Sequence, residues 1–270
     1  MKHIVHKIFL LSAACACWNL ILAGHYTDCP PVELKDTKTY FPKIAENPSR
    51  QHDLQSLRAW TAGSKVSLES VKEFGLSNCF KQLPINATIF NRIYKKSYKA
   101  DCSIPQTALR YVKVLHYNLK GEILLGELIC HKDISNDLIE IFDELFKARY
   151  PIERMVLIDN YDAEDESSMR ANNTSCFNFR KVAGTNVLSN HSTGHAIDIN
   201  PLYNPYYKNK NGKIIYQPKT AKAYTNRNAN FPYKITKGDL CYKLFIKHGF
   251  KWGGDWKSVK DYQHFEKGNK

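Results

Sequence analysis

The residues with the most chemistry to offer stand in two short stretches: Ser189-Asn190-His191-Ser192-Thr193-Gly194-His195-Ala196-Ile197-Asp198, and Asp261-Tyr262-Gln263-His264 near the C-terminus. Ala196, Asp198 and Asn200 alternate with Ile197 and Ile199, so a strand here buries the isoleucines and aims Asp198 at a cleft. The small residues before it allow a tight turn that brings the His191 imidazole beside the Asp198 carboxylate, a nitrogen and an oxygen donor suited to zinc. Two ligands do not make a site. Asp261 and His264 are three apart, so one turn or short loop can present both, adding an imidazole ligand and leaving one carboxylate unbound. Three protein ligands, an open position for water and a free carboxylate are the inventory of a hydrolytic zinc centre. A structural site would close the fourth position with protein.

His191 and His195 also share the spacing of an HExxH helix. Ser192 stands where that motif needs Glu, and Thr193-Gly194 followed by Ala-Ile-Asp-Ile argues against a helix. His195 is therefore expected to line the cleft or contact substrate.

These residues need elements to hold them. From Tyr111 the sequence YVKVLHYNLKGEILLGELICH alternates apolar and polar residues around Asn118–Gly121, the pattern of a β-hairpin. Asp133 to Tyr150 places Ile134, Leu138, Ile141, Phe142, Leu145 and Phe146 at helical spacing, and Pro151 ends that helix. A short strand is expected over Ile152–Ile158, an acidic and solvated loop over Asp159–Glu166, a short helix over Lys243–His248 and a last strand over Phe250–Trp252. Helices and strands come in irregular order, which predicts an α+β fold rather than repeated βαβ units.

Residues 1–24 place Lys2 and Lys7 before an apolar, acid-free run and small residues, the pattern of a secretory signal. The run from Ile8 to Ala23 is short for a spanning helix, and no later stretch is long and apolar enough for one. The mature chain is thus expected in the periplasm, outside the cell or at the envelope, with no stable membrane span. A lipid anchor on Cys15 or Cys17 fits poorly, because Ser12 stands three residues before Cys15. Six cysteines then remain, Cys29, Cys79, Cys102, Cys130, Cys176 and Cys241, which export permits to pair. Cys79 with Cys102 is the first pair to test, and free buried thiols are the alternative. Residues 25–74 read as an N-terminal extension or linker with one short helix around Gln51–Trp60, ahead of a catalytic domain over 75–270. The formal charge of +13 in 270 residues is local: residues 201–270 hold 15 Lys+Arg against 4 Asp+Glu. With an export signal and no nucleic-acid motif, that basic third suits anionic envelope polymers or simple solubility, and no nucleic acid.

The pattern SxHxxGxAxD, met by Ser189, His191, Gly194, Ala196 and Asp198, followed by DxxH at Asp261 and His264, closely resembles the M15 metallopeptidases. Those are D-alanyl-D-alanine carboxypeptidases, vancomycin-resistance dipeptidases and L-alanyl-D-glutamate endopeptidases that cut peptidoglycan stem peptides. The ending GGDWKSVKDYQHFE looks like the branch of phage endolysins and cell-wall endopeptidases. The resemblance spans about residues 75–266. It implies the fold shared with the hedgehog signalling domain, a small antiparallel sheet with flanking helices, and one zinc ion per chain. It also implies His191, Asp198 and His264 as ligands, Asp261 as general base and Ser189 as a substrate-contacting or supporting residue. An upstream arginine stabilises the oxyanion in the family, and Arg180 in FNFRKVAG is the match, with Arg170 second. The dipeptidase branch carries Glu at the base position, so Asp261 follows the endopeptidase branch. The implied activity is zinc-dependent hydrolysis of a stem-peptide bond; the alternatives are a zinc peptidase acting on other protein and a non-catalytic, zinc-bearing wall-binding module.

Overall fold

The computed structural model describes residues 47–182 and 184–268, so the expected leader at residues 1–24 and Cys29 lie outside the described residues. The first half runs α1 Pro48–Ala59, β1 Lys65–Val66, α2 Leu68–Phe74, β2 Lys81–Pro84, α3 Ala87–Ile93, β3 Leu109–Tyr117, β4 Ile123–His131 and α4 Lys132–Lys147. The second half runs α5 Asp165–Arg170, β5 Ala196–Asp198, β6 Tyr206–Lys210, β7 Lys213–Gln217, α6 Leu240–Lys247, β8 Lys251–Trp252, β9 Lys260–Asp261 and β10 His264–Glu266. The fold is α+β with small antiparallel sheets, as the order of elements predicts.

The hairpin around Asn118–Gly121 is the centre of the larger sheet. The Asn118 side-chain oxygen accepts the Lys120 and Glu122 N–H groups at 2.9 and 3.1 Å, closing the turn. β3 and β4 then pair from Leu109 opposite His131 to Tyr117 opposite Ile123, with β1 and β2 outside them in the order β1-β4-β3-β2. Both faces of this sheet are covered. Val112, Val114, Leu128 and Cys130 meet the apolar stripe of α4, Ile134, Leu138, Ile141 and Phe142. On the other face Leu109, Leu115, Leu125 and Ile129 meet Leu57, Trp60 and Val71. Trp60 also donates its indole N–H to the Gly126 carbonyl at 3.0 Å.

That second layer alters the expected extent of the domain. The described residues fall in one compact unit, and Leu57 and Val71 are fully buried in it, so the helix near Gln51–Trp60 packs into the core. A polar average hid the few apolar side chains that do the packing. Two further expectations change. The expected strand over Ile152–Ile158 does not form: residues 151–158 make isolated bridges, Tyr117 with Pro151 and Arg154 with Asn173, and the Met155 carbonyl accepts the Glu127 N–H of β4 at 3.0 Å. Asp159–Glu166 is solvated only in part: Asn160, Asp162 and Glu164 are exposed, whereas Asp159 is buried and accepts the Ser97 N–H and hydroxyl, each at 2.9 Å. Cys79, Cys102, Cys130, Cys176 and Cys241 are all free thiols.

One buried histidine of the large sheet makes stability depend on acid. The His116 Nδ1 meets the Ile152 carbonyl at 2.8 Å, its Nε2 has no hydrogen-bond partner among the described residues, and burial pushes its pKa from 6.5 down to about 4. The folded chain therefore keeps this ring neutral where the unfolded chain takes up a proton, so stability is lost as pH falls from about 6.5 towards 4. By about pH 4.5 the loss from this group is on the order of 2–3 kcal/mol, at 1.36 kcal/mol per pH unit. Urea unfolding at neutral and acid pH should show a smaller acid loss in His116→Gln than in the wild type; equal losses would remove His116 as a cause.

The two smaller sheets carry the second half of the chain, in the orders β5-β10-β8 and β7-β6-β9. Phe265 in β10 is fully buried and stacks on Phe245 of α6 with ring centroids 4.3 Å apart. Burial of such a ring stabilises by roughly 1.5–3 kcal/mol. It anchors a strand whose neighbouring residues His264 and Glu266 point the other way.

Candidate metal centre

His191 is delivered by a single 3₁₀ turn, Asn190–Thr193. The Ser189 hydroxyl caps the turn by accepting the His191 N–H at 3.3 Å, which gives this serine a supporting place rather than a reactive one. Gly194 ends the turn at φ 74°, and a Cβ there would lie 2.6 Å from the His131 backbone nitrogen. Only glycine allows both the left-handed backbone and the close approach to β4. The chain then enters β5, whose Asp198 stands directly opposite His264 of β10 in the antiparallel register. Sixty-odd residues of separation are thus closed by one ladder.

The three side chains converge. His191 Nε2 lies 3.2 Å from His264 Nδ1 and 3.3 Å from an Asp198 carboxylate oxygen, and His264 Nδ1 lies 3.1 Å from the other oxygen. An ion about 2.0–2.1 Å from each of three tetrahedral ligand atoms sets them about 3.4 Å apart, so the spacing fits zinc. The opposite ring nitrogens support the same reading. His191 Nδ1 lies 2.6 Å from the Cys176 carbonyl, which can only accept, so the proton belongs on Nδ1 and the Nε2 lone pair faces the cluster. On His264, Nε2 faces the Glu266 carboxylate at 3.3 Å and leaves Nδ1 inward. Asn190 in turn donates to Glu266.

The fourth member, Asp261, comes from β9. Gly253 lets it approach: a Cβ on Gly253 would lie 2.5 Å from the Asp261 carbonyl oxygen and 2.8 Å from its Cβ. Asp261 Oδ1 is buried and unpartnered among the described residues. Burial raises the Asp261 carboxyl, with Asp198 adding and His264 opposing, to about 7. Burial works against charge at Asp198 too, but His191 and His264 beside it hold that carboxyl well below its usual range. Two carboxyls in one pocket are thus pushed apart, one firmly ionised and one able to exchange a proton near neutrality.

Arg180 forms an ion pair with Asp165 of α5, and its backbone N–H meets the Ser192 hydroxyl at 2.9 Å. Its charge reaches Asp261, whose carboxyl it pulls down. Arg170, by contrast, is 55% exposed beside Glu166. Of the aromatics, Trp256 lies 5.3 Å from the His264 ring and Tyr206 sits opposite Asp261 in the β6–β9 ladder. Trp252 is core, and Tyr203 packs against Tyr224 and Tyr233. A cavity of about 780 Å³ lined by His116, Glu153, Arg154 and Tyr203 contains none of the His191, Asp198, Asp261 and His264 quartet in its wall. His195 makes its contacts in another direction, stacking on His131 at 4.2 Å, and burial lowers its pKa.

Glu266, the Cys176 carbonyl and Asp165 are the supporting groups that motif spacing does not reveal. Glu266 had a signal, since i and i+2 share a strand face and H-x-E within β10 puts the carboxylate beside its histidine. Removing such an orienting partner typically costs about 10–100-fold in metal affinity. Glu266→Ala should weaken zinc binding by that factor in a competition titration with a chromophoric chelator, with the circular dichroism unchanged. Unaltered affinity would show that the ladder alone orients His264.

Residues 183–267 match the family model described as D-alanyl-D-alanine carboxypeptidase, among the M15 peptidases, and that stretch contains His191, Asp198, Asp261 and His264. No curated protein and no solved structure matches the chain.

Proposed function

We propose, from the match of residues 183–267 to the M15 peptidase family model, that this chain is a zinc-dependent hydrolase of peptide bonds in peptidoglycan stem peptides. The observation that supports this most is the convergence of His191 Nε2, His264 Nδ1 and the Asp198 carboxylate within 3.1–3.3 Å of one another, beside the buried and unpartnered Asp261 carboxyl oxygen. His191, Asp198 and His264 would hold the ion. Zinc bound there supplies a Lewis acid that polarises the scissile carbonyl and acidifies water.

The chain's own residues do the rest. Asp261 takes a proton from the attacking water as the oxygen adds to the carbonyl carbon. It then passes that proton to the amine nitrogen as the carbon–nitrogen bond breaks. A carboxyl raised to about 7 is matched to both halves of that transfer. The Arg180 guanidinium donates hydrogen bonds to the oxyanion that forms at the substrate carbonyl oxygen, and Asp165 holds the arginine for it. Trp256 and Tyr206 flank the scissile bond, and Ser189 keeps the His191 turn in shape.

An exported chain meets its substrate at the envelope, after loss of residues 1–24. Among the described residues no helix is long and apolar enough to cross a membrane. Exposed Lys213, Lys219 and Lys222 give the basic C-terminal third a face for anionic envelope polymers. Incubation of the zinc-loaded chain with defined stem peptides, read by product mass, separates release of terminal D-Ala from cleavage between L-Ala and D-Glu.

A further inference from the structure

A second group of metal-ligating side chains lies outside the quartet. His131 ends β4 and caps α4, Asp133 lies in the first turn of α4, and His195 follows the glycine that packs against His131. One ligand atom from each lies within 4.8 Å of the others. From this geometry we propose that His131, Asp133 and His195 bind a second divalent cation of the zinc class, pinning the start of α4 to the entrance of β5.

The hydrogen-bond bookkeeping around His195 points to a ligand. The Thr193 hydroxyl spends its single proton on the Asn190 carbonyl at 3.0 Å, so it can only accept from His195 Nδ1, which lies 3.0 Å away. The proton of His195 is therefore on Nδ1, and Nε2 presents a bare lone pair. His195 is 5% exposed, and that Nε2 has no hydrogen-bond partner among the described residues. A buried acceptor without a donor is costly, and a cation satisfies it. His131 Nδ1 stands 3.3 Å from an Asp133 carboxylate oxygen, the separation of two ligand atoms around one tetrahedral ion.

Two imidazole nitrogens and one carboxylate oxygen are a donor set that selects zinc and its neighbours over calcium or magnesium. Asp133 is exposed, so water completes the coordination from the solvent side. Three things oppose the ion. The stacked rings must splay, Asp133 must withdraw its N–H from His131 Nδ1, a 3.3 Å contact, and the positive end of α4 and Lys132 repel a cation. Against these stand two imidazoles and a full negative charge, so the ion binds more weakly than at the quartet and leaves first on dialysis.

The test is the zinc content of the full chain after equilibrium dialysis against Zn²⁺, with four proteins in parallel. Wild type should hold two ions per chain. His131→Asn keeps a good helix cap and should hold one, as should His195→Gln. His264→Gln should also hold one, and its remaining ion should disappear when His131→Asn is added. One ion in wild type, unchanged by His131→Asn and by His195→Gln, would overturn the second site. The two readings fail separately: loss of the quartet's ion alone leaves an ion that His131→Asn removes. Zinc-induced thermal stabilisation of His264→Gln, absent once His131→Asn is added, is the matching stability readout.

Discussion

Asp261→Asn should leave bound zinc unchanged and lower kcat by about 10²–10⁴-fold, the usual contribution of a positioned general base. The substitution keeps the size of the side chain and removes only its capacity to take a proton. Asp261 lies outside the ligand cluster of His191, Asp198 and His264, so the metal should not notice the change. Its place is dictated by packing, because Gly253 brings the β9 backbone closer than any Cβ would permit. Metal content and stopped-assay kinetics on the same preparation read both halves of the expectation. Unchanged turnover would take Asp261 out of the base role, and lost zinc would make it a ligand.

Arg180→Ala should depress kcat by roughly 10²–10³-fold, about 3–4 kcal/mol in the barrier, with little change in KM. A guanidinium aimed at the oxyanion meets charge only as the transition state forms. Its ion pair with Asp165 and the backbone tie to Ser192 fix the arginine on the His191 side of the pocket. A rise in KM at constant kcat would instead make Arg180 a residue that grips the substrate in the ground state.

The quartet was legible in the sequence because its residue types and spacing are unusual together. Alternation set Asp198 opposite the isoleucines, and the DxxH stretch supplied the third member of the candidate ligand set, His264. What spacing could not supply was the partner of each residue. A backbone carbonyl such as that of Cys176 leaves no side-chain signature, yet it decides which nitrogen of His191 faces inward. Asp165 was hidden inside an acidic run, where composition reports charge but not that Arg180 lies across from it. The same limit shaped the fold. The hairpin and α4 follow from periodicity, whereas the burial of Leu57 and Trp60 depends on a sheet face far along the chain. Ile152–Ile158 had a strand's composition, yet it meets β4 through a single backbone hydrogen bond, Glu127 N–H to the Met155 carbonyl, and forms no ladder.

His195 illustrates why one histidine can be read two ways. Its position after Gly194 places it beside the His191–Asp198 stretch in sequence, but the strand and turn send the ring to His131. A ligand role there and a catalytic role at the quartet are separable by metal content alone.

The most direct measurement is the mass spectrum of products from defined peptidoglycan stem peptides incubated with the zinc-loaded chain, with and without a chelator. One new pair of masses is expected, from loss of terminal D-Ala or from a cut between L-Ala and D-Glu, abolished by chelation and restored by zinc. Intact peptides in the presence of a chain that holds zinc at His191, Asp198 and His264 would contradict it and leave a metal-bearing binding module in its place.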